Sequence, residues 1–353
     1  RARVALLVHV PACAIRVYDL SYGDAALEAP PRRYFAKASN EAIENGFVRV
    51  EFDPRSATLR SMWDRKHDAN FGFDHAGRIA WRPNDGAFLR WGRGHAFTVD
   101  ELNVIENGPV RAAVRFGGAL AGRRISVTYR IAQGARHVEA FVEGLAQFAE
   151  GRTRIAFPTE FRRGAFSVET PFGRAPGDAL PAQGFAALTR GARELIVLGD
   201  GSSDWTHRRG CVTLGVDRRP ESDRDVVRYG LLAHVGPVTR DHAARRAQAF
   251  SRPLRVVGPA AMSDGAAVSS IVRVDRPNVT MTALRRDGNG CEMRVYETAG
   301  DGGPLQLVFA SPPRSVTVTD LLGRPAKSYA VEGRRVSMPI GPFEIKTLRF
   351  DDR

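Results

Sequence analysis

Two polar clusters carry side chain types able to do chemistry. Asp64, Lys66, His67 and Asp68, followed by Asp74 and His75, set carboxylates beside imidazoles, the combination that holds divalent metals. The run reads equally as a charged turn closing the apolar stretch Leu59–Trp63. Asp200, Asp204 and His207 surround Trp205. A carboxylate can take sugar hydroxyls while an indole covers the apolar face of the ring. A polar turn with Trp205 packed beneath it is the plainer alternative. His137 and His234 each fall inside a strand-like run, where a histidine with a glutamate could move protons on a sugar ring, or could simply be packed. Glycoside cleavage needs two carboxylates about 5–10 Å apart, and the sequence singles out no such pair. A nucleophile elbow, a phosphate loop, a strand-linked dinucleotide fingerprint and any CxxC pair are missing.

Such side chains need a scaffold, and 353 residues with 43% hydrophobic content suffice for two or three cores. No stretch approaches the ~20 consecutive apolar residues of a membrane helix, so neither a membrane span nor a signal peptide is expected. The formal charge is +13, with lysine only at positions 37, 66, 327 and 346. Arginine supplies the rest, scattered in ones and twos without a basic helix or an aromatic–basic ladder, so nucleic acid is not an expected partner. Cys13, Cys211 and Cys291 are too few and too far apart for a disulfide framework, and fit a reducing cytoplasm.

Along the chain, apolar residues alternate with polar ones at the period of half-buried antiparallel strands. Val4–Val10 and Ala14–Leu20 precede the linker Ala29-Pro30-Pro31. After the Asn45-Gly46 turn, Phe47–Phe52 and Leu59–Trp63 form a hairpin. Residues 75–100, rich in Trp, Gly and Arg, read as a long surface loop. Strands resume at Glu101–Ile105, Val110–Phe116, Ile125–Ile131 and His137–Val142, and continue through Leu195–Leu198, Cys211–Val216 and Val226–Val235. Helical periodicity is confined to Thr239–Phe250. A small-residue stretch, Pro259–Ala267, then opens a second series of about seven short strands, a size that fits an immunoglobulin-like sandwich. The fold class is therefore all-β: a large antiparallel supersandwich followed by a small β-sandwich. The expected divisions are 1–40 as N-terminal strands and linker, 41–258 as the large body and 268–353 as the small one.

Several stretches, in order, resemble the C-terminal β portion of glycoside hydrolase family 38, the zinc-dependent α-mannosidases. They are IENGFVRVEFDPRSATLRSMWDRK from Ile43, PVRAAVRF from Pro109, RTRIAFPTEF from Arg152, TPFG from Thr170, the run from Arg193 to Val257, SSIVRVDRPNVTMTALRRDGNGCEMRVYETAG from Ser269, and GPFEIKTLRF from Gly341. The resemblance implies a galactose-mutarotase-like large sandwich, a carbohydrate (α-mannoside glycan) partner and a role in mannose and glycan catabolism. In this family an aspartate attacks the anomeric carbon with retention while zinc, held by His and Asp, grips the sugar. Those groups belong to an N-terminal α/β domain and the helical bundle after it. No catalytic residue, metal ligand or cofactor is therefore expected within this chain, which looks like the C-terminal half of a longer cytoplasmic bacterial enzyme. Zinc is expected in the N-terminal catalytic domain, itself an expected partner, and a homo-oligomer stays open. For the cleft rim the resemblance points to Asp85 and Phe88, in Asp85-Gly86-Ala87-Phe88, where Phe replaces the family's Tyr and its hydroxyl, and to Arg218 and Arg219 at a strand end. A stand-alone carbohydrate-binding module and an aldose-epimerase-like enzyme using His137 or His234 are the alternatives.

Overall fold

A computed structural model describes residues 8, 14–16, 34–83, 95–148, 151–177, 182, 184–200, 204–216, 226–236, 240–254 and 268–351. β1 (Ala14–Arg16) comes first. Next come β2 (Lys37–Ala38), β3 (Ala42–Glu44), β4 (Val48–Asp53), β5 (Thr58–Asp64) and β6 (Ala69–Ala76), a five-stranded antiparallel meander. Burial along β4 alternates strictly, with Val48, Val50 and Phe52 inward, as the period-two pattern requires.

β7 (Arg78–Pro83) and β8 (His95–Ala96) start a second sheet. Residues 78–83 and 95–100 are thus not surface loop: Ile79 is buried and Trp81 packs on Phe148, an alternation too short to stand out among glycines and arginines. β9 (Thr98–Asn107), β10 (Arg111–Leu120), β11 (Arg123–Ala132) and β12 (His137–Glu143) form half of a nine-stranded sheet. The chain then crosses between sheets through β13 (Gly151–Pro158), β14 (Ala165–Thr170), β15 (Gly173–Pro176), β16 (Phe185–Arg190), β17 (Arg193–Gly199), β18 (Asp204–Arg208), β19 (Cys211–Val216) and β20 (Val226–Val235). The nine-stranded order is β15-β14-β16-β17-β20-β12-β11-β10-β9, and the second sheet runs β18-β19-β13-β7-β8. β20 is inserted between β17 and β12, joining the two halves of the large sheet.

One apolar cluster fills the space between these sheets. At its centre Phe52 stacks on Tyr129 with centroids 5.0 Å apart, and the Tyr129 hydroxyl donates to the Ala57 carbonyl. On the opposite face of the nine-stranded sheet lies α1 (Arg240–Ser251), whose Ala243, Ala244, Ala247 and Phe250 pack on Phe185, Ile196, Leu198 and Leu232. Small alanines let the helix approach the sheet closely. Among the described residues no helix is long and apolar enough to cross a membrane.

β21 (Val268–Ser270) pairs with β1. The remaining strands are β22 (Val272–Val274), β23 (Val279–Asp287), β24 (Gly290–Glu297), β25 (Gly303–Phe309), β26 (Val316–Thr319), β27 (Pro325–Tyr329), β28 (Arg335–Ile340) and β29 (Ile345–Asp351). They make a three-stranded sheet, β22-β25-β28, and a five-stranded one, β23-β24-β29-β26-β27, around a second apolar cluster. Among the described residues the protein is all-β apart from α1, a 3₁₀ residue at Tyr34 and a 3₁₀ turn at Ala146–Phe148, and the strand ladders between them are antiparallel.

Candidate functional site

Asp85, Phe88, Arg218 and Arg219, the rim residues expected from the resemblance, lie outside the described residues. The other candidates fall within them, with differing outcomes. Trp205 sits on β18 with 1% of its surface exposed, so its ring faces the core and offers no platform to a sugar. Asp204 meets Arg154 at 3.3 Å, and His207 stacks on Phe166 while its Nε2 accepts the Gly210 N–H. The run from Asp204 to Arg208 is a packed edge strand, and its alternation was hidden by its polar letters.

His137 lies 3.7 Å from Glu139, but that carboxylate also takes hydrogen bonds from Arg130 and Arg228. Burial pushes the Glu139 carboxyl up; the hydrogen bonds from His137, Arg228 and Arg130 outweigh it and hold the group well below the usual carboxylate range. A carboxylate held so firmly ionised is no proton shuttle near neutrality, which weakens the epimerase-like alternative at His137. Glu194, the cross-strand neighbour of His234, is fully buried and bound to Arg174 at 2.7 Å.

The structure does bring His67 and His234 together. Both line a cavity of about 350 Å³ at one end of the large body. Its first wall is the β5–β6 turn. There Asp64 Oδ1 accepts the N–H groups of Lys66 and His67, and Oδ2 lies 2.8 Å from His67 Nδ1. An ionised carboxylate only accepts, so Nδ1 carries the proton and Nε2 is left for the cavity or solvent. This carboxylate is a turn cap, and among the described residues no group of three His, Cys, Asp or Glu side chains could hold a metal ion. The zinc implied by the resemblance therefore finds no fitting ligand set among them.

The second wall is set by Asn45, 1% exposed. Its Oδ1 accepts from the N–H groups of Phe47 and Val48, and its Nδ2 donates to the carbonyls of Ala132 and Ala135, both at 2.8 Å. One side chain thus clamps the β3–β4 turn to the β11–β12 turn. That clamp places Arg136, whose guanidinium lies 4.5 Å above the Phe47 ring. The floor is the end of β20, where the His234 ring meets His242 of α1 edge-on at 4.3 Å. Gly236, at φ +129, leaves room beside His234 that a side chain would take. Arg246, one helical turn beyond His242, completes the lining. The sequence reading missed Asn45 as a clamp and missed Arg136, His242 and Arg246. The last two could have been flagged, since residues four apart on a helix share a face.

Residues 43–223 match the model of the glycosyl hydrolases family 38 C-terminal domain, and residues 278–348 that of the family 38 C-terminal beta sandwich domain. Among solved structures the chain is similar to a protein in glycosyl hydrolase family 38 from Enterococcus faecalis. The TM-score is 0.73 at 17% identity, over 90% of this chain and 44% of that one. It is also similar to an alpha-mannosidase from Enterococcus faecalis V583, with a TM-score of 0.71 at 16% identity, over 90% and 43%. A galactose mutarotase-like protein from Lactobacillus casei ATCC 334 matches with a TM-score of 0.33 at 12% identity, over 55% and 99%. No curated protein matches the sequence. The chain spans under half the length of the two Enterococcus structures. With one family model covering more than half of its residues and a second following it, the chain belongs to glycosyl hydrolase family 38, through that family's C-terminal β domains.

Proposed function

We propose that this chain is the carbohydrate-binding and structural β portion of a zinc-dependent, retaining α-mannosidase, working with an N-terminal catalytic domain in a bacterial cytoplasm. What supports the reading is the succession, on one chain, of the two β domains of the family, at residues 43–223 and 278–348. In this reading the aspartate nucleophile and the zinc belong to the catalytic domain, and the β portion buttresses it and shapes the rim of its cleft. Cys211 and Cys291, both free thiols, suit a reducing compartment.

On its own the 353-residue chain is expected to leave aryl α-mannosides intact. Release of the aryl group by the purified chain, abolished by a chelator, would show that it carries its own zinc and nucleophile and would overturn this division of labour. Adding the separately produced catalytic domain is expected to give turnover that chelator removes.

A further inference from the structure

Among the described residues, the cavity between the β5–β6 turn, the β11–β12 turn and α1 is lined by three cationic side chains, Lys66, Arg136 and Arg246, and one carboxylate, Asp64. Several arginines elsewhere on the large body are ion-paired: Arg49 with Glu44, Arg115 with Glu143, Arg130 and Arg228 with Glu139, Arg174 with Glu194, Arg193 with Glu160. Lys66, Arg136 and Arg246 all face the cavity, and the acid among its described lining residues, Asp64, is already engaged by His67 and the turn N–H groups. Among the described residues no carboxylate forms an ion pair with Arg136 or Arg246. Burial pulls the Arg246 guanidinium down from the ordinary arginine range, and the positive charges of Arg136 and Arg245 add to it. Like charges gathered in a half-enclosed space raise the local potential and favour an incoming anion.

We propose that this cavity is a binding site for a tetrahedral oxoanion, the phosphoryl group of a sugar phosphate or free phosphate. Two guanidiniums can each offer paired N–H donors to oxoanion oxygens, and the Lys66 ammonium can supply a third charge from the turn. His67 Nε2, together with His234 and His242, adds imidazoles on the same lining. The volume, about 350 Å³, exceeds what a bare phosphate fills and leaves room for an attached pyranose. The Phe47 ring holds Arg136 from one side, so this donor is placed before the anion arrives.

Calorimetric titration of the full chain with inorganic phosphate, mannose 6-phosphate and mannose tests this. Saturable phosphate binding at one site is expected, weakened roughly ten- to hundredfold by Arg246→Gln, as loss of a charge-assisted contact implies. Arg136→Lys is expected to retain binding and Arg136→Gln to lose it, with unchanged thermal unfolding. If Arg136→Gln fails to fold, Lys66→Gln at the exposed turn gives the second measurement. Mannose 6-phosphate binding tighter than phosphate identifies a sugar phosphate as the ligand; equal affinities identify the free anion. Absence of saturable phosphate binding, binding unchanged in both Arg246→Gln and Lys66→Gln, or mannose binding as tight as its phosphate would each overturn the proposal.

Discussion

Trp205 and Glu139 show how burial decides the role of a residue whose type alone is ambiguous. Trp205 is among the largest fully buried side chains of the protein, packed in the main cluster rather than offered to solvent. Trp205→Ala is expected to destabilise the fold by roughly 3–5 kcal/mol while leaving carbohydrate affinity of the folded protein unchanged. Chemical denaturation and a binding titration on the same sample check both halves. Glu139 is bound by Arg130 and Arg228 on the outer face of the nine-stranded sheet. Its folded carboxyl titrates below its unfolded value, so the stability it contributes is fully present above about pH 4.5 and fades as the pH falls towards the folded value. Glu139→Gln is expected to cost about 1.5–3 kcal/mol at pH 7 and progressively less in acid. Denaturation curves at pH 7 and pH 4 that show equal losses would contradict this.

At the scale of elements, turns rather than strands build the cavity. Asn45 uses both donors and its acceptor oxygen to tie two turns together, close to the full capacity of an amide side chain. Asn45→Ala is expected to destabilise by roughly 2–4 kcal/mol and to free Arg136 from its perch on Phe47. Faster hydrogen exchange at Ala135 and Phe47, with no change in the small body, is the readout. Opposite these turns, α1 presents an alanine face to the sheet and carries His242 and Arg246 at the cavity.

Across the whole molecule, two apolar clusters share no residue. The joins between them include Gln248 donating to the Met281 carbonyl and Phe172 edge-on to Tyr296 at 5.3 Å. Because their apolar clusters are separate, the bodies are expected to melt separately. Leu231→Ala and Leu307→Ala should each cost about 2–5 kcal/mol and lower different calorimetric transitions. Equal shifts of a single transition would show that the two cores unfold as one.

Much of this was readable from the amino-acid order. The alternation of Phe47–Phe52, the turn letters of Asn45-Gly46 and the apolar runs Leu195–Leu198 and Val226–Val235 dictate strands locally, because a half-buried sheet imposes its period on side chain polarity. The short alternations of β7 and β18 were lost among Trp, Arg and His. Tertiary structure alone decided which charges meet. Lys66, Arg136, His234 and Arg246 come from four separate segments, and they converge because β20 inserts between β17 and β12 while Asn45 locks two distant turns together. Period two tells which side chains share a face, but it is blind to which turn ends abut, and a cavity at the end of a sandwich is made of turn ends.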